Sequence, residues 1–321
     1  MERQVQQLAQ ATTTLYLNPP ADGFWQHLPA GSAVVLNAAD AAAMDGHLEV
    51  IRGLPAELPS FLQGVLYLPK SKARLELMLA FARHHLQPDG QLWVVGAKKA
   101  GIQSVPRQLK AFADRVVKRD AARHCVVFAA DQWQPADKAF DLAAFETRFQ
   151  VGDHTLVSLP GVFSHGELDE GSALLLEHLP SALSGPTLDF GCGCGVLSLA
   201  AAQRGAQVTA IDVDLLAVAS CERSAAENSL PVTVQAADRV PPGPWDAIIS
   251  NPPFHQGISQ DLSAAYQLIE DAAQQLSPAG QLWLVVNRHL DYPRRLAQHF
   301  RRVDEVAGSN RFRVLRAAKK H

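Results

Sequence analysis

The 321-residue sequence has few cysteines, no long apolar run and no obvious targeting signal. Its four cysteines fit no C-x-x-C spacing, and Cys192 and Cys194 are interpreted as small residues of a glycine loop, so the predicted metal content is none. No apolar run approaches the roughly 18 residues that a membrane-spanning helix needs. The first residues, M-E-R-Q-V-Q-Q, lack the basic start and apolar stretch of a signal peptide. We therefore expect a cytoplasmic protein without a membrane partner.

Positive charge is almost absent from the middle of the chain. Residues 151–287 carry 3 Lys or Arg against 15 Asp or Glu, whereas residues 288–321 carry 10 against 3 and residues 1–150 carry 16 against 14. Clustered cations predict surfaces that flank a polyanion such as a nucleic acid. These basic side chains are Lys70, Lys72, Arg74, Lys98, Lys99, Arg107, Lys110, Arg115, Lys118 and Arg119 in the first half, and Arg288, Arg294, Arg295, Arg301, Arg302, Arg311, Arg313, Arg316, Lys319 and Lys320 in the tail.

Apolar strand patterns alternate with amphipathic helix patterns in the first half. Strands are predicted at 33–37, 65–68, 92–96 and 125–128, and helices at about 71–86 and 106–119. Such alternation is typical of a parallel, doubly wound α/β sheet.

One segment of the sequence occurs twice. The pattern L-x-P-x-G-Q-L-W-V-V at 86–95 returns as L-x-P-x-G-Q-L-W-L-V at 276–285. In both places a helix is expected to end, Pro and Gly turn the chain, and an apolar strand follows. We infer a duplicated domain, with copies at 1–150 and 151–321 joined through a hairpin that turns at Gly152 and Asp153.

A glycine-rich loop follows the first apolar strand of the second half. The strand T-L-D-F is followed by Gly191, Gly193 and Gly195, which lead into an apolar helix. Glycines allow close approach of the backbone to a ligand and direct N–H groups towards it. The next strand ends at Asp212, where a carboxylate can accept hydrogen bonds from ribose hydroxyls, and the one after it ends at Asp238, near the expected position of an adenine edge.

The fourth strand of the second half runs into Asn251, Pro252, Pro253 and Phe254. Consecutive prolines make this loop stiff. An amide oxygen and a main-chain carbonyl beside an aromatic ring suit a planar base with an exocyclic amino group. An isolated N-P-P is more often a simple turn, and Asn18-Pro19-Pro20 is read in that way because no glycine loop precedes it. Because a glycine loop is also present in the second half, a functional role is favoured for Asn251.

A glycine loop alone also suits NAD, but here Asp189 lies two residues before G-x-G-x-G instead of G-x-G-x-x-G. Together with N-P-P-F, this pattern resembles the class I S-adenosylmethionine-dependent methyltransferases that act on exocyclic amino nitrogens. The segments L-P-G-V-F-S, L-D-E-G-S, I-I-S-N-P-P-F-H-Q-G and R-F-R-V-L-R-A, with L-Y-L-P-K-S-K-A in the first half, are similar to the bacterial small-subunit rRNA methyltransferase C family, which methylates N2 of guanine 1207 in 16S ribosomal RNA.

The resemblance implies an α/β fold with tandem Rossmann-like methyltransferase domains. Each has a seven-stranded, mostly parallel sheet that ends in an antiparallel hairpin, and the N-terminal copy is degenerate. By motif position, Asp189, Gly191, Gly193 and Gly195 hold the methionine part of S-adenosylmethionine, Asp212 its ribose and Asp238 its adenine. Phe163 and Ser164 lie near the methyl donor, and Asn251, Pro252, Pro253 and Phe254 bind the target guanine. The expected partner is 16S rRNA in the small ribosomal subunit, and the expected state is a monomer.

The first copy lacks these elements. Its first predicted strand, A-V-V-L-N, continues into A-A-D without a glycine loop, and Tyr67-Leu68-Pro69-Lys70 stands opposite the N-P-P-F segment. We expect this copy to bind no cofactor and to have a structural or RNA-binding role.

Several alternatives remain open from the residues. The same site would suit N6 of adenine in DNA, a glutamine amide in protein, or a guanine of the large-subunit RNA. His255 is a possible base, although a histidine at the end of a loop is more often positional. Outside enzymes, an RNA-binding assembly protein is the alternative, against which the intact glycine and N-P-P-F motifs argue.

Overall fold

The computed structural model describes residues 14–20, 22–29, 31–135, 139–164, 166–252 and 259–319. The chain divides into two compact units, Met1–Glu146 and Thr147–His321. The predicted hairpin is present and begins the second unit, with strands β8 (Thr147–Val151) and β9 (His154–Ser158). No helix among the described residues is long and apolar enough to cross a membrane.

The first unit is built on a seven-stranded sheet in the order β3-β2-β1-β4-β5-β7-β6. Neighbouring strands are parallel except that β7 runs antiparallel to β5 and β6. Its strands are β1 (Thr14–Leu17), β2 (Gly31–Val35), β3 (Glu49–Arg52), β4 (Phe61–Tyr67), β5 (Leu86–Ala97), β6 (Ala113–Ala122) and β7 (Cys125–Trp133), and its helices are α1 (Ala38–Met44), α2 (Lys72–His85) and α3 (Val105–Leu109).

The second unit repeats this order as β12-β11-β10-β13-β14-β16-β15, again with antiparallel pairs only at the last two steps. The predicted tandem α/β fold and its closing antiparallel hairpin are therefore confirmed. The strands are β10 (Pro186–Phe190), β11 (Gln207–Asp212), β12 (Val232–Ala236), β13 (Trp245–Ser250), β14 (Leu276–Asn287), β15 (Phe300–Gly308) and β16 (Phe312–Lys319), and the helices are α4 (Glu170–His178), α5 (Val196–Gln203), α6 (Leu215–Glu227), α7 (Ser259–Gln275) and α8 (Tyr292–His299).

The repeated sequence segment forms the same corner in both units. At both corners the strand pairing shifts register. The shift lies between Phe61 and Gln63 where β4 pairs with β5, and between Trp245 and Ala247 where β13 pairs with β14. A Cβ on Gly280 would lie 2.7 Å from the carbonyl oxygen of Trp245, so only glycine fits at that corner. A Cβ on Gly90 would lie 2.9 Å from the carbonyl oxygen of Gln87, so the corner of the first unit also favours glycine.

Two predictions for the first unit are wrong. The strand near residues 33–37 is β2, the second strand, because the short β1 precedes it. The predicted helix over 106–119 ends at Leu109, and the residues from Ala113 form β6, whose pairing with β7 overrides the helical pattern. Tertiary pairing of this kind commonly overrides local preference.

The corrected strand order changes the structural interpretation of the segment Asn18-Pro19-Pro20. Asn18 follows β1, has φ +55° and donates its N–H to the carbonyl of Val34 at 3.0 Å. Gly191 follows β10, has φ +73° and makes the equivalent bond to Ile211 at 2.9 Å. Asn18-Pro19-Pro20 is thus the counterpart of the glycine loop and not an unrelated turn.

The same registers identify further counterparts in the first unit. Val35 stands where the second unit has Asp212, and Tyr67 stands where it has Asn251. Val35 and Tyr67 are both buried in one apolar cluster that also contains Tyr16 and Phe24. Apolar side chains therefore fill these positions in the first unit.

Candidate active site

A cavity of about 650 Å³ opens at the carboxyl ends of the parallel strands in the second unit. Parallel α/β sheets bind their ligands at this edge, next to the point where the strand order reverses. The cavity is lined by Gly161, Phe163, Asp169, Phe190, Gly191, Gly193, Asp212, Val213, Asp214, Ala217, Ala237, Asp238, Asn251, Pro252, Ala264, Asn287, Arg311 and Phe312.

The glycine loop forms one wall of the cavity. Gly191, Gly193 and Gly195 have φ of +73°, +55° and +93°, a region that other residues rarely adopt. A Cβ on Gly195 would also lie 2.9 Å from Sγ of Cys221, on α6. The left-handed backbone of the loop therefore favours glycine at all three positions, and the contact with α6 requires it at Gly195.

Asp212 is fixed from both sides at the end of β11. Its Oδ2 accepts a hydrogen bond from the N–H of Gly193 at 3.0 Å, and its Oδ1 accepts one from the N–H of Asp214 at 2.9 Å. Burial raises the pKa of Asp212 to about 6. Each carboxylate oxygen retains a second acceptor site, so Asp212 can bind two hydroxyl groups of a ligand.

Asp189 is fully buried behind the loop. Its Oδ2 accepts a hydrogen bond from Oγ of Ser198 at 2.5 Å, while its Oδ1 has no hydrogen-bond partner among the described residues. Burial raises the pKa of Asp189 to about 7, an effect that the bond from Ser198 opposes. A cationic ligand in the neighbouring cavity would favour the ionised form of this carboxyl.

Asn251 follows β13 on the opposite wall. Its Nδ2 donates to Oδ2 of Asp169 at 2.8 Å and to Oγ of Ser172 at 2.9 Å. Asp169 also caps α4, since Oδ2 accepts the N–H of Ser172 at 2.9 Å. Because a carboxylate only accepts, the atom of Asn251 that faces Asp169 is the amide nitrogen. The amide oxygen is left as the acceptor that Asn251 presents to the cavity.

The structure brings most of the predicted site residues to this cavity. Its lining includes seven of them, which are Phe163, Gly191, Gly193, Asp212, Asp238, Asn251 and Pro252. Ser164, at φ +60°, lines a small adjoining recess with Phe163 and Asn251, whereas Asp189 and Gly195 support the loop from behind. Pro253 and Phe254 lie outside the described residues, as does His255.

Other lining residues were not predicted for the site. Asp169, Arg311 and Phe312 line the cavity, and of these only Arg311 was singled out from the sequence, as one of the basic side chains of the tail. Asn287 ends β14 next to β13, so the rule that ligands lie at strand carboxyl ends would have identified it. Phe163 is 54% exposed, which is unusual for a large apolar side chain. Among the described residues, no group of three or more His, Cys, Asp or Glu side chains is arranged to hold a metal ion.

The donors and acceptors fit S-adenosylmethionine. In the part of the chain that the structure describes, one oxygen of the buried Asp189 carboxyl has no hydrogen-bond partner, which suits a cationic ligand, and Asp212 could accept two hydroxyl groups such as those of a ribose. The fold and this site together define a class I S-adenosylmethionine-dependent methyltransferase.

The comparisons with known proteins narrow the class to a family. The model of the Methyltransferase small domain matches residues 153–316, and that of the Methyltransferase small domain N-terminal matches residues 1–149. The Ribosomal RNA small subunit methyltransferase C of Pseudomonas paraeruginosa is 39% identical over 317 residues, which cover 96% of this chain and 95% of the relative. The protein of that name in Shewanella halifaxensis is 39% identical over 263 residues, covering 79% and 76%. This chain belongs to the small-subunit rRNA methyltransferase C family.

A solved structure supports the whole two-unit fold. The T. thermophilus 16S rRNA N2 G1207 methyltransferase, in complex with AdoMet and guanosine, matches with a TM-score of 0.86 and 24% sequence identity. The match covers 99% of this chain and 91% of that protein.

Proposed function

We propose that this enzyme transfers a methyl group from S-adenosylmethionine to the exocyclic N2 of a guanine in 16S ribosomal RNA, at the position equivalent to 1207. The observation that carries the proposal is the locked amide of Asn251, whose two contacts through Nδ2 leave its oxygen as an acceptor. An amino group needs such an acceptor, and the family relatives are named for this RNA.

The residues of the catalytic unit then divide into two groups. Asp189 and the loop of Gly191, Gly193 and Gly195 hold the methionine part of the cofactor. Asp212 accepts the ribose hydroxyls, and Asp238 faces the adenine. Phe163 and Ser164 lie at the recess beside Asn251, near the expected position of the methyl group that is transferred. S-adenosylmethionine supplies an electrophilic methyl group when it is bound.

The substrate side orients the nucleophile. The amide oxygen of Asn251 and the carbonyl of Pro252 accept the two N–H groups of N2, which aligns the nitrogen lone pair, and Phe254 stacks on the ring. Alignment of this kind accounts for much of the acceleration in a transfer between two bound reactants. The proton leaves N2 during or after transfer, to water. Because a duplex hides this edge, the target guanine is unpaired or flipped.

The first unit has an RNA-binding role in this proposal and binds no cofactor. Lys70 follows β4, Lys98 and Lys99 follow β5, and the β6–β7 turn carries Arg123 at the same edge, where the N–H of Lys98 donates to the carbonyl of His124 at 2.8 Å. All four of these cations are exposed. We call them the basic edge of the first unit. They suit a phosphate backbone, which attracts clustered cations.

The basic tail contributes less free positive charge than its composition suggested. Arg288 pairs with Glu305, Arg311 with Glu170, and Arg316 with Asp304.

We further propose that the enzyme acts as a monomer, in the cytoplasm, on RNA held within the small subunit.

Loss and restoration of one modified nucleoside test the function. Small-subunit RNA from a strain lacking the gene is expected to lose N2-methylguanosine at one position, as read by primer extension and by mass spectrometry of a nucleoside digest. The purified chain should restore it, whereas Asn251→Ala should slow single-turnover transfer on the order of 100-fold while binding S-adenosylmethionine normally. Methylation of adenine, of large-subunit RNA or of protein would refute the assignment, and failure to bind S-adenosylmethionine would refute enzymatic activity.

A further inference from the structure

A second side-chain amide, that of Asn287, lines the cavity at the carboxyl end of β14. Its Oδ1 accepts a hydrogen bond from the backbone N–H of His289 at 3.1 Å. A backbone N–H only donates, so the atom that faces it is the oxygen. The nitrogen Nδ2 has no hydrogen-bond partner among the described residues. Asn287 therefore offers the cavity a donor.

Hydrogen bonds hold the side-chain amides of Asn251 and Asn287 in opposite orientations. Asn251 is held through its nitrogen and presents oxygen, whereas Asn287 is held through its oxygen and presents nitrogen. Asn287 is also paired with Phe312 in the β14–β16 ladder, so its backbone is anchored in the sheet. Groups held by strands are positioned more accurately than groups on free loops.

The spacing of the two amides suits opposite ends of one base edge. Ser250 pairs with Leu284, so Asn287 lies two residues beyond the position opposite Asn251. With strands about 4.8 Å apart and a rise of about 3.3 Å per residue, the two Cα atoms are separated by about 8 Å. Two short side chains that converge from that distance can contact groups a few ångströms apart on a purine.

Guanine carries a matching pair of groups. N2 and O6 are attached to the two ring carbons on either side of N1, so a donor and an acceptor lie along one edge. If adenine placed its N6 against Asn251, the position of O6 would be taken by a C–H group. The donor of Asn287 would then be unpaired, and a binding site that leaves a polar group unpaired discriminates strongly against that ligand.

We propose that Asn287 donates a hydrogen bond from Nδ2 to O6 of the target guanine and thereby determines the specificity for guanine. This inference rests on the proposed function, because it takes the base whose N2 faces Asn251 as the substrate. Asn287 acts on the choice of base and leaves the cofactor untouched.

The test compares guanine with 2-aminopurine, which keeps the N2 amino group and lacks O6. Small-subunit RNA is assembled with a synthetic segment that carries either base at the target, and single-turnover methylation by the full-length chain is measured for both. The unsubstituted enzyme should prefer guanine, and Asn287→Ala should reduce that preference by on the order of 10- to 100-fold, the effect of one hydrogen bond to a buried group.

Two variants separate recognition from folding. Asn287→Asp retains an oxygen for the N–H of His289 but replaces the donor by an acceptor, so it should slow guanine methylation more than 2-aminopurine methylation. Asn310→Ala alters an exposed asparagine of the nearby turn that does not line the cavity and should keep the normal preference. Affinity for S-adenosylmethionine should be unchanged in all three variants.

The outcomes distinguish the two proposals. If the unsubstituted enzyme methylates guanine and Asn287→Ala retains the full preference for guanine over 2-aminopurine, the role of Asn287 is refuted and the proposed function stands. An equal slowing of both bases would likewise refute the role. If the unsubstituted enzyme methylates neither base, the proposed function fails and this inference fails with it.

Discussion

The carboxylate of Asp169 joins the start of α4 to the amide of Asn251, and its removal should affect both. Oδ2 accepts the N–H of Ser172 at 2.9 Å and Nδ2 of Asn251 at 2.8 Å. Loss of a helix N-cap costs about 1 kcal/mol, and loss of a hydrogen bond to a charged group costs about 1.5–3 kcal/mol. We expect Asp169→Ala to lower the free energy of unfolding by about 2.5–4 kcal/mol and to leave the amide of Asn251 held only by Oγ of Ser172.

The catalytic consequence should exceed the structural one. If the amide of Asn251 no longer presents its oxygen reliably, the single-turnover rate should fall on the order of 10- to 100-fold. Affinity for S-adenosylmethionine, measured by calorimetry, should change little. Ser172→Ala removes only the second acceptor of Asn251 and leaves the cap intact, so it should reduce the rate several-fold with little loss of stability.

A cap without a catalytic role provides the matched control. Ser71 caps α2 in the first unit by accepting the N–H of Arg74 at 3.3 Å. Ser71→Ala should therefore lower stability by about 1 kcal/mol without slowing methyl transfer. If Asp169→Ala loses stability but transfers methyl at the normal single-turnover rate, the positioning of Asn251 by Asp169 is refuted.

Two further predictions concern charge. Burial raises the pKa of Asp189 to about 7, whereas the same carboxyl in the unfolded chain loses its proton near pH 4. Between about pH 4 and 7 the folded chain therefore binds more protons than the unfolded chain, and the stability contributed by Asp189 falls as the pH rises. Asp189→Asn should flatten the fall in Tm between pH 5 and 7.5, leaving the smaller share due to Asp212, and an unchanged slope would contradict the assignment. Replacing the four cations of the basic edge by Ala should weaken RNA binding and reduce its salt dependence. Binding of S-adenosylmethionine should not change. If the substituted chain binds RNA as tightly as the unsubstituted chain, the basic edge is excluded as an RNA site.

The parts of the site that could be predicted from sequence depend on local backbone chemistry. Gly191, Gly193 and Gly195 are recognisable because their left-handed φ values favour glycine, and two prolines make the segment after Asn251 conspicuous. The alternation of strands and helices likewise indicated the fold class. The glycine and proline signals are each contained within a few consecutive residues.

The missed parts depend on contacts between distant segments. The bond from Asn251 to Asp169 joins residues 82 positions apart, and Asn287 carries no motif of its own. The direction of an amide is decided only by what its two ends contact. A sequence motif can therefore place Asn251 in the site without showing which of its atoms faces the substrate.

The two units show how one fold keeps its packing when the residues of the cofactor site change. Asn18 takes the backbone conformation and the N–H bond of Gly191, so the turn after the first strand is retained. Pro19, which follows it, has no N–H to offer a ligand. Val35 in place of a carboxylate, together with Tyr67, joins the apolar core. Positions that carry polar side chains in the second unit are thus occupied in the first unit by side chains that pack in its core, as we expect of a copy that binds no cofactor.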